Sequence, residues 1–142
     1  MRRSRGLLEN MRGLDTNVLV RYLTADDEKQ TALAERLLEQ SSEAGQPLFI
    51  PVLVLCELAW VLARCYGQAK AQIISVIEHI LEAEQFRIEG DLIVRRSLDA
   101  FRGGKADFAD YLIGEICRKA GCEDCVTFDR VLKGAAGFTL LS

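Results

Sequence analysis

Short apolar stretches alternate with longer amphipathic stretches along this 142-residue chain. The apolar stretches have the length of strands, whereas the amphipathic ones repeat their apolar positions with helical spacing. Strands that alternate with helices build a mostly parallel sheet with helices on its faces. The sequence therefore predicts an α/β fold, a three-layer α/β/α sandwich around a mostly parallel central sheet.

The pattern also predicts where each element lies. Strands are predicted near 12–15 and at 47–50, 86–90, 125–128 and 138–141. Helices are predicted after Asp15 and at 26–45, 52–66, 68–84, 91–101 and 107–121, with a short helix between the last two strands. Because glycine suits the residue that ends a helix, Gly67 and Gly121 are expected to close two of them.

We expect one domain, residues 12–142, preceded by a disordered N-terminal extension, residues 1–11. The apolar runs are too short to span a bilayer, so no membrane segment is expected. The N-terminal stretch MRRSRGLLENMRG is basic but lacks the apolar core of a secretory signal. The five cysteines are an odd number, which suits a reducing cytosol, and we expect a cytoplasmic protein.

Charge and cysteine spacing limit the possible functions. The net charge is −3 at pH 7, which argues against a protein held to nucleic acid by bulk positive charge, though not against a metal-dependent nuclease. Cys122 and Cys125 form one C-x-x-C, and His79 is the single histidine. A structural zinc site needs four ligands, so we interpret these cysteines as loop and core residues, with a redox role as the weaker alternative.

Acids follow two of the predicted strands. Asp15 and Asp129 each stand where a strand changes into a helix. In parallel sheets the active site lies beyond the carboxyl ends of the strands. The simpler interpretation is that each aspartate caps a helix, but two such positions in one α/β chain favour a functional role.

Asp107 and Asp110 are three residues apart and therefore share one face of a predicted helix. Asp107 could instead cap this helix and Asp110 could favour its dipole, and for Asp107 both interpretations stay open. Asp110 is followed directly by the apolar YLIG, where the helix turns inward. Asp110 is thus the better candidate for a metal ligand.

Glu57 stands inside the apolar run PVLVLCELAW. Ionised carboxylates are rarely buried without a partner, so the sequence predicts a buried Glu57 that is paired through a cation. The alternative is a glutamate on a polar helix strip that faces Arg64 or Arg21.

Several carboxylates in one cleft repel each other unless a cation lies among them. Hard oxygen ligands suit Mg²⁺ or Mn²⁺. The sequence has neither a phosphate-binding glycine loop nor a Ser–His pair, so metal-assisted hydrolysis of a phosphodiester is the reaction that these acids indicate. His79 lies on a helix away from the acids and is interpreted as a surface residue rather than a catalytic base.

The motifs LDTNVLVRYL, VLCELAWVL, DFADYLIGEICRKAGC and VTFDR occur in this order. The ordered set resembles the PIN domain, and more closely the VapC-type ribonuclease toxins of toxin–antitoxin pairs. The resemblance covers residues 12–142. It implies a compact α/β/α sandwich that cleaves RNA with Mg²⁺ or Mn²⁺.

The resemblance also implies roles for individual residues. The catalytic, metal-holding acids of the family match Asp15, Glu57, Asp110 and Asp129, and Asp107 matches a further metal-binding acid that some members carry. Small polar residues that orient the acids match Thr16, Asn17 and Thr127. Gly114 stands where the family usually has alanine.

The family's partners are implied as well. VapC-like proteins form homodimers and bind a VapB-like antitoxin that inserts a segment near the acidic cleft. The helix stretches VLVRYL and ISVIEHIL are candidates for that groove, and the alternative is that both are ordinary core-facing surfaces. Candidates for RNA contacts by position are the basic residues Arg21, Arg102, Lys105 and Arg130, although solvated surface charge is the simpler interpretation of each.

Three other functions compete with the ribonuclease. A haloacid-dehalogenase-like phosphatase also has an aspartate after its first strand, but it needs a second one where this chain has Asn17. A receiver domain clusters acids too, yet its phospho-accepting aspartate and late lysine have no match. A PIN-like module could also bind RNA without cleaving it.

Overall fold

The computed structural model describes residues 11–142. The predicted N-terminal extension lies outside this range except for Met11. No helix within the described range combines the length and the apolar character that a bilayer span requires.

Strands and helices alternate in the predicted order. The strands are β1 (Arg12–Gly13), β2 (Leu48–Ile50), β3 (Phe86–Ile88), β4 (Cys125–Thr127) and β5 (Phe138–Leu140). The helices are α1 (Thr16–Thr24), α2 (Glu28–Ala44), α3 (Val52–Arg64), α4 (Lys70–Glu82), α5 (Asp91–Gly103) and α6 (Phe108–Lys119), and a 3₁₀ helix (Arg130–Leu132) follows β4.

The strands pair in parallel, as predicted, but in two sets rather than in one continuous sheet. One set has the order β1-β2-β3, and the other pairs β4 with β5. β1 is two residues long, and its hydrogen bonds go to β2, followed by Leu14 N–H to Phe49 O at 2.9 Å. The helix that starts at Thr16 ends the ladder, because its backbone groups bond within the helix.

The core lies between the strands and the apolar faces of the helices. α3 shows the pattern, since Leu55, Leu58 and Leu62 are buried at helical spacing. Each fully buried leucine contributes about 1.5–3 kcal/mol to folding through the hydrophobic effect. This packing fixes the elements that carry the acids, because α3 contacts both α1 and α6.

Candidate active site

Asp15 lies at the point where β1 gives way to α1. Leu14 is buried beneath it, and Asp15 itself is exposed. As the N-cap residue of α1, Asp15 accepts a hydrogen bond from Val18 N–H at 3.0 Å through Oδ1. The capping role is therefore real, and it fixes the carboxylate while leaving Oδ2 at the surface.

Asp129 has the same arrangement after β4. Its Oδ1 accepts from Val131 N–H at 3.0 Å, at the start of the 3₁₀ helix. Its own backbone N–H donates to Thr127 Oγ1 at 3.0 Å. Thr127 thus holds the backbone that presents Asp129.

Glu57 is exposed, so the prediction of a buried carboxylate is wrong. It lies on the outward strip of α3 together with Leu53 and Trp60, which are 65% and 58% exposed. The spacing of these residues places them on one side of the helix, opposite the buried leucines. The outward strip is itself largely apolar, which made the whole helix look buried in the sequence.

Thr16 links α1 to Glu57. Its hydroxyl donates to Glu57 Oε1 at 2.5 Å. Because Thr16 follows Asp15 directly, this hydrogen bond places the first and second acids of the predicted set on adjoining elements. The predicted alternative partners of Glu57, Arg64 and Arg21, form no ion pair with it in the part of the chain that the structure describes.

Asp110 is half-buried in the first turn of α6, whereas the other acids of the predicted set are exposed. Burial raises its pKa, and the negative charges of Asp107 and Asp129 raise it further. Asp107 N–H donates to Asp110 Oδ2 at 3.1 Å, which opposes the rise. Asp107, Asp110 and Asp129 are therefore close enough for their charges to interact.

Cys56 lies between the acids of α3 and α6. Burial raises the pKa of its thiol, and the charges of Glu57 and Asp110 raise it further. The sequence analysis missed this residue, because the apolar stretch VLVLC predicted only a core position. The Cys56 thiol is therefore close to both Glu57 and Asp110. Asp129, which follows β4, is also close to Asp110.

The acidic row consists of Asp15, Glu57, Asp107, Asp110 and Asp129, and these acids do not form one tight cluster. Within residues 11–142, no three His, Cys, Asp or Glu side chains are grouped as ligands for one metal ion. The donors still fit Mg²⁺ or Mn²⁺, since Mg²⁺ is usually bound by one or two carboxylates together with waters and substrate phosphates. Burial is the main cause of the raised pKa of Asp110, the charges of Asp107 and Asp129 add to it, and no neighbouring cation among the described residues lowers it.

The predicted basic residues fall into two groups. Arg21 donates to Gln30 Oε1 at 2.7 Å and pairs with Asp26 at 3.2 Å, and Arg102 pairs with Glu78 at 2.8 Å. In contrast, the exposed Lys105 and Arg130 form no ion pair with any residue of 11–142. Lys105 precedes Asp107 by two residues and Arg130 follows Asp129 directly, so these two cations adjoin the acids.

An apolar groove of about 340 Å³ opens beside Asp15, between α1 and α2. Asn17 and Val18 line it on the α1 side, and Leu33 and Leu37 on the α2 side. The VLVRYL stretch was a predicted groove wall, but the contribution of α2 was missed. The available signal was the apolar pair Leu33 and Leu37, since Leu33 is 54% exposed and is not needed for the core.

Comparison with known proteins gives two matches. The family model described as "PIN domain" matches residues 14–137. A VapC ribonuclease of Aquifex aeolicus (strain VF5) is 32% identical over 123 residues, which make up 87% of this chain and 90% of that protein. The residues that the family model matches include all the segments that carry the acids.

Proposed function

We propose that this chain, which belongs to the PIN domain family, is a metal-dependent endoribonuclease and the toxin of a VapBC-type toxin–antitoxin pair. The observation that carries the proposal is the electrostatic grouping of Asp110 with Asp107 and Asp129 at the surface. Unbalanced carboxylates at one edge of an α/β fold suit a divalent cation. The similarity to a VapC ribonuclease supports RNA as the substrate.

We assign Mg²⁺ or Mn²⁺ to Asp110, with Asp129 and Asp107 beside it and with Asp15 and Glu57 as the further acids. When bound, such an ion lowers the pKa of a water molecule and neutralises charge on the scissile phosphodiester. The side chains of the protein hold the acids in place and bind the RNA.

Orientation of the acids comes from neighbouring polar groups. Thr16 holds Glu57 through its hydroxyl, and Thr127 holds the backbone of Asp129. Removal of such a supporting residue typically lowers metal affinity or activity by about 10–100-fold. Lys105 and Arg130 are the proposed phosphate contacts, because neither forms an ion pair with a carboxylate of residues 11–142.

We also propose that the chain binds a VapB-like antitoxin, that it pairs with a second copy of itself, and that it works in the cytoplasm. The groove beside Asp15 supports the antitoxin assignment, since its apolar walls end at one of the acids. An antitoxin segment lying there would reach the acidic row and block access of RNA to it.

The experiment that tests the function is cleavage of a labelled RNA pool by the chain freed of any co-purified inhibitor. We expect cleavage with Mg²⁺ or Mn²⁺, none with EDTA, and a loss of at least about 100-fold in Asp15→Asn and Asp110→Asn. Both variants keep a side-chain oxygen for the hydrogen bonds of the parent, so both should fold. Binding of RNA without cleavage under any condition would support a non-catalytic module, and hydrolysis of a small phosphoester in place of RNA would support a phosphatase.

A second arm separates the site from general damage. Thr16→Val removes the hydroxyl that donates to Glu57 and is expected to lower cleavage about 10–100-fold. Thr139→Val is the matched control, because the Thr139 hydroxyl donates to Asp124 at the same 2.5 Å but away from the acidic row. Equal losses in the two variants would contradict the assigned role of Thr16.

A further inference from the structure

The C-terminus of α6 places two cysteines at the ends of one tight turn. Gly121 has a φ of 94° and its N–H donates to Arg118 O at 3.1 Å, while Cys122 N–H donates to Cys117 O at 3.0 Å. This pair of hydrogen bonds defines a Schellman motif, in which the side chains of the first and last residues commonly contact each other. In this chain those two residues are Cys117 and Cys122.

Contact between two cysteines is the geometric condition for a disulfide, which needs Cα atoms about 4.4–6.8 Å apart. Both thiols are reduced in the structure. The turn brings the two thiols within reach of a hydrogen bond to each other, which suits a disulfide between them.

Small molecules can reach this pair. Cys122 is exposed and Cys117 is half-buried, and both line a cavity of about 520 Å³ between α5, α6 and β5. Arg96 and Arg118 line this cavity together with Glu115, Glu123 and Asp124, so its wall carries both charge signs. Cys117 is thus neither sealed in the core nor fully exposed.

The structure does not support a metal site for these thiols, because no group of three potential ligands within residues 11–142 is arranged to hold a metal ion. With a metal site set aside, we consider covalent reactions of the two thiols. Cytosolic disulfides, where they occur, are usually transient and redox-responsive, which suits a pair at the surface rather than in the core.

We propose that Cys117 and Cys122 form a thiol–disulfide exchange site whose reaction partner is a small disulfide such as oxidised glutathione. The Cys122 thiolate attacks one sulfur of the small disulfide, forms a mixed disulfide and releases one thiol. Cys117 then loses its proton and attacks Cys122 Sγ, which forms the protein disulfide and releases the second thiol. The protein loses two electrons and two protons, and the small disulfide gains them as two thiols.

The surroundings of the two cysteines set this order. Contact with Cys125 raises the pKa of Cys117, partial burial raises it further, and the hydrogen bond from Cys122 opposes the rise. Cys122 is exposed and Cys117 is half-buried, so Cys122 reacts first, and Cys117, whose raised pKa slows its own attack, resolves the mixed disulfide. Cys125, the first residue of β4, is the neighbouring thiol that could compete for either sulfur.

The test incubates the reduced full chain with oxidised glutathione, alkylates the remaining thiols and measures the intact mass. We expect the loss of two of the five alkylatable thiols. Trypsin cleaves after Arg118 and Lys119 and so separates Cys117 from Cys122, and a glutamate-specific protease cleaves after Glu123 and separates Cys122 from Cys125. Each possible pair among the three thiols therefore gives a different linked product.

The expected product links Cys117 to Cys122, and Cys117→Ser should stop at a glutathione adduct on Cys122. Cys65→Ser is the matched control, since Cys65 is an exposed cysteine at the end of a different helix, and its removal should leave the pairing unchanged. A disulfide that uses Cys125, an adduct on Cys122 that never resolves in the parent chain, or no loss of thiols would each overturn the proposal. The readout is mass, so the result does not depend on the proposed nuclease activity.

Discussion

Asp110 differs from the other acids of the row in its surroundings. It is half-buried and lies beside two further carboxylates, whereas Asp15 and Asp129 are exposed and hydrogen-bonded at helix starts. A carboxylate in such a position destabilises the folded chain when it is ionised and no cation is nearby. Among these acids, Asp110 is therefore the one whose ionisation most destabilises the folded chain when no cation is bound.

Neutralising Asp110 should stabilise the metal-free protein at neutral pH. Its pKa in the folded chain is raised above the ordinary 3.8, so its contribution to stability is complete below that value and is lost as pH rises through the folded pKa. Asp110→Asn is expected to raise Tm at neutral pH with EDTA by on the order of 2 °C, and this gain should vanish in acid. Thermal unfolding at several pH values measures both the gain in Tm at neutral pH and its disappearance in acid.

The control for this prediction is Asp99→Asn, which removes a carboxylate whose side chain is 82% exposed on α5. It should not raise Tm at neutral pH. Added Mg²⁺ or Mn²⁺ should narrow the difference between Asp110→Asn and the parent, because the ion favours the ionised carboxylate. A parent chain more stable than Asp110→Asn in EDTA at neutral pH would contradict the assigned electrostatics.

At the scale of elements, α6 carries both Asp110 and the contact that fixes it against β5. Gly114 lies one turn after Asp110, and a Cβ added there would be 2.7 Å from Phe138 Cζ and 2.8 Å from Cε2. The glycine at this position is thus explained by the aromatic ring of Phe138 in β5. A helix-interior glycine costs about 1 kcal/mol relative to alanine, and the close packing of Phe138 offsets that cost.

Gly114 and Phe138 should therefore be coupled. Gly114→Ala alone is expected to destabilise the chain by about 1–2 kcal/mol, because the ring must move from its position. In a Phe138→Leu background the same substitution should instead stabilise by up to about 1 kcal/mol, since the clash is gone and the helix propensity remains. Denaturant unfolding of the four proteins gives the coupling free energy, and additive effects would refute the contact.

The whole molecule shows which features local sequence can specify. The order of strands and helices was predictable because periodicity and helix ends are local signals. The exposure of Glu57 was not, since the packing of α1 and α6 decides which side of an apolar helix faces outward. The groove between α1 and α2 and the ion pairs of Arg21 and Arg102 likewise depend on distances between elements.

Charge also acts at the scale of the whole molecule, because an acidic protein must bind a polyanion. With a net charge of −3, RNA affinity cannot come from a broad positive surface. The free cations beside the acidic row, Lys105 and Arg130, should supply the phosphate contacts. A cation already paired with a carboxylate, such as Arg102 with Glu78 at 2.8 Å, must break that pair before it can contribute.

These differences predict the salt dependence of RNA binding. In an inactive Asp110→Asn background, Lys105→Ala and Arg130→Ala should each weaken binding and reduce the slope of log K against log salt concentration by about 1, because each phosphate contact releases counterions. Arg102→Ala removes the same charge and should leave the slope unchanged. Fluorescence anisotropy with a labelled single-stranded RNA measures all three slopes. If Arg102→Ala changed the slope as much as the other two, net charge rather than the cations beside the acids would govern RNA binding.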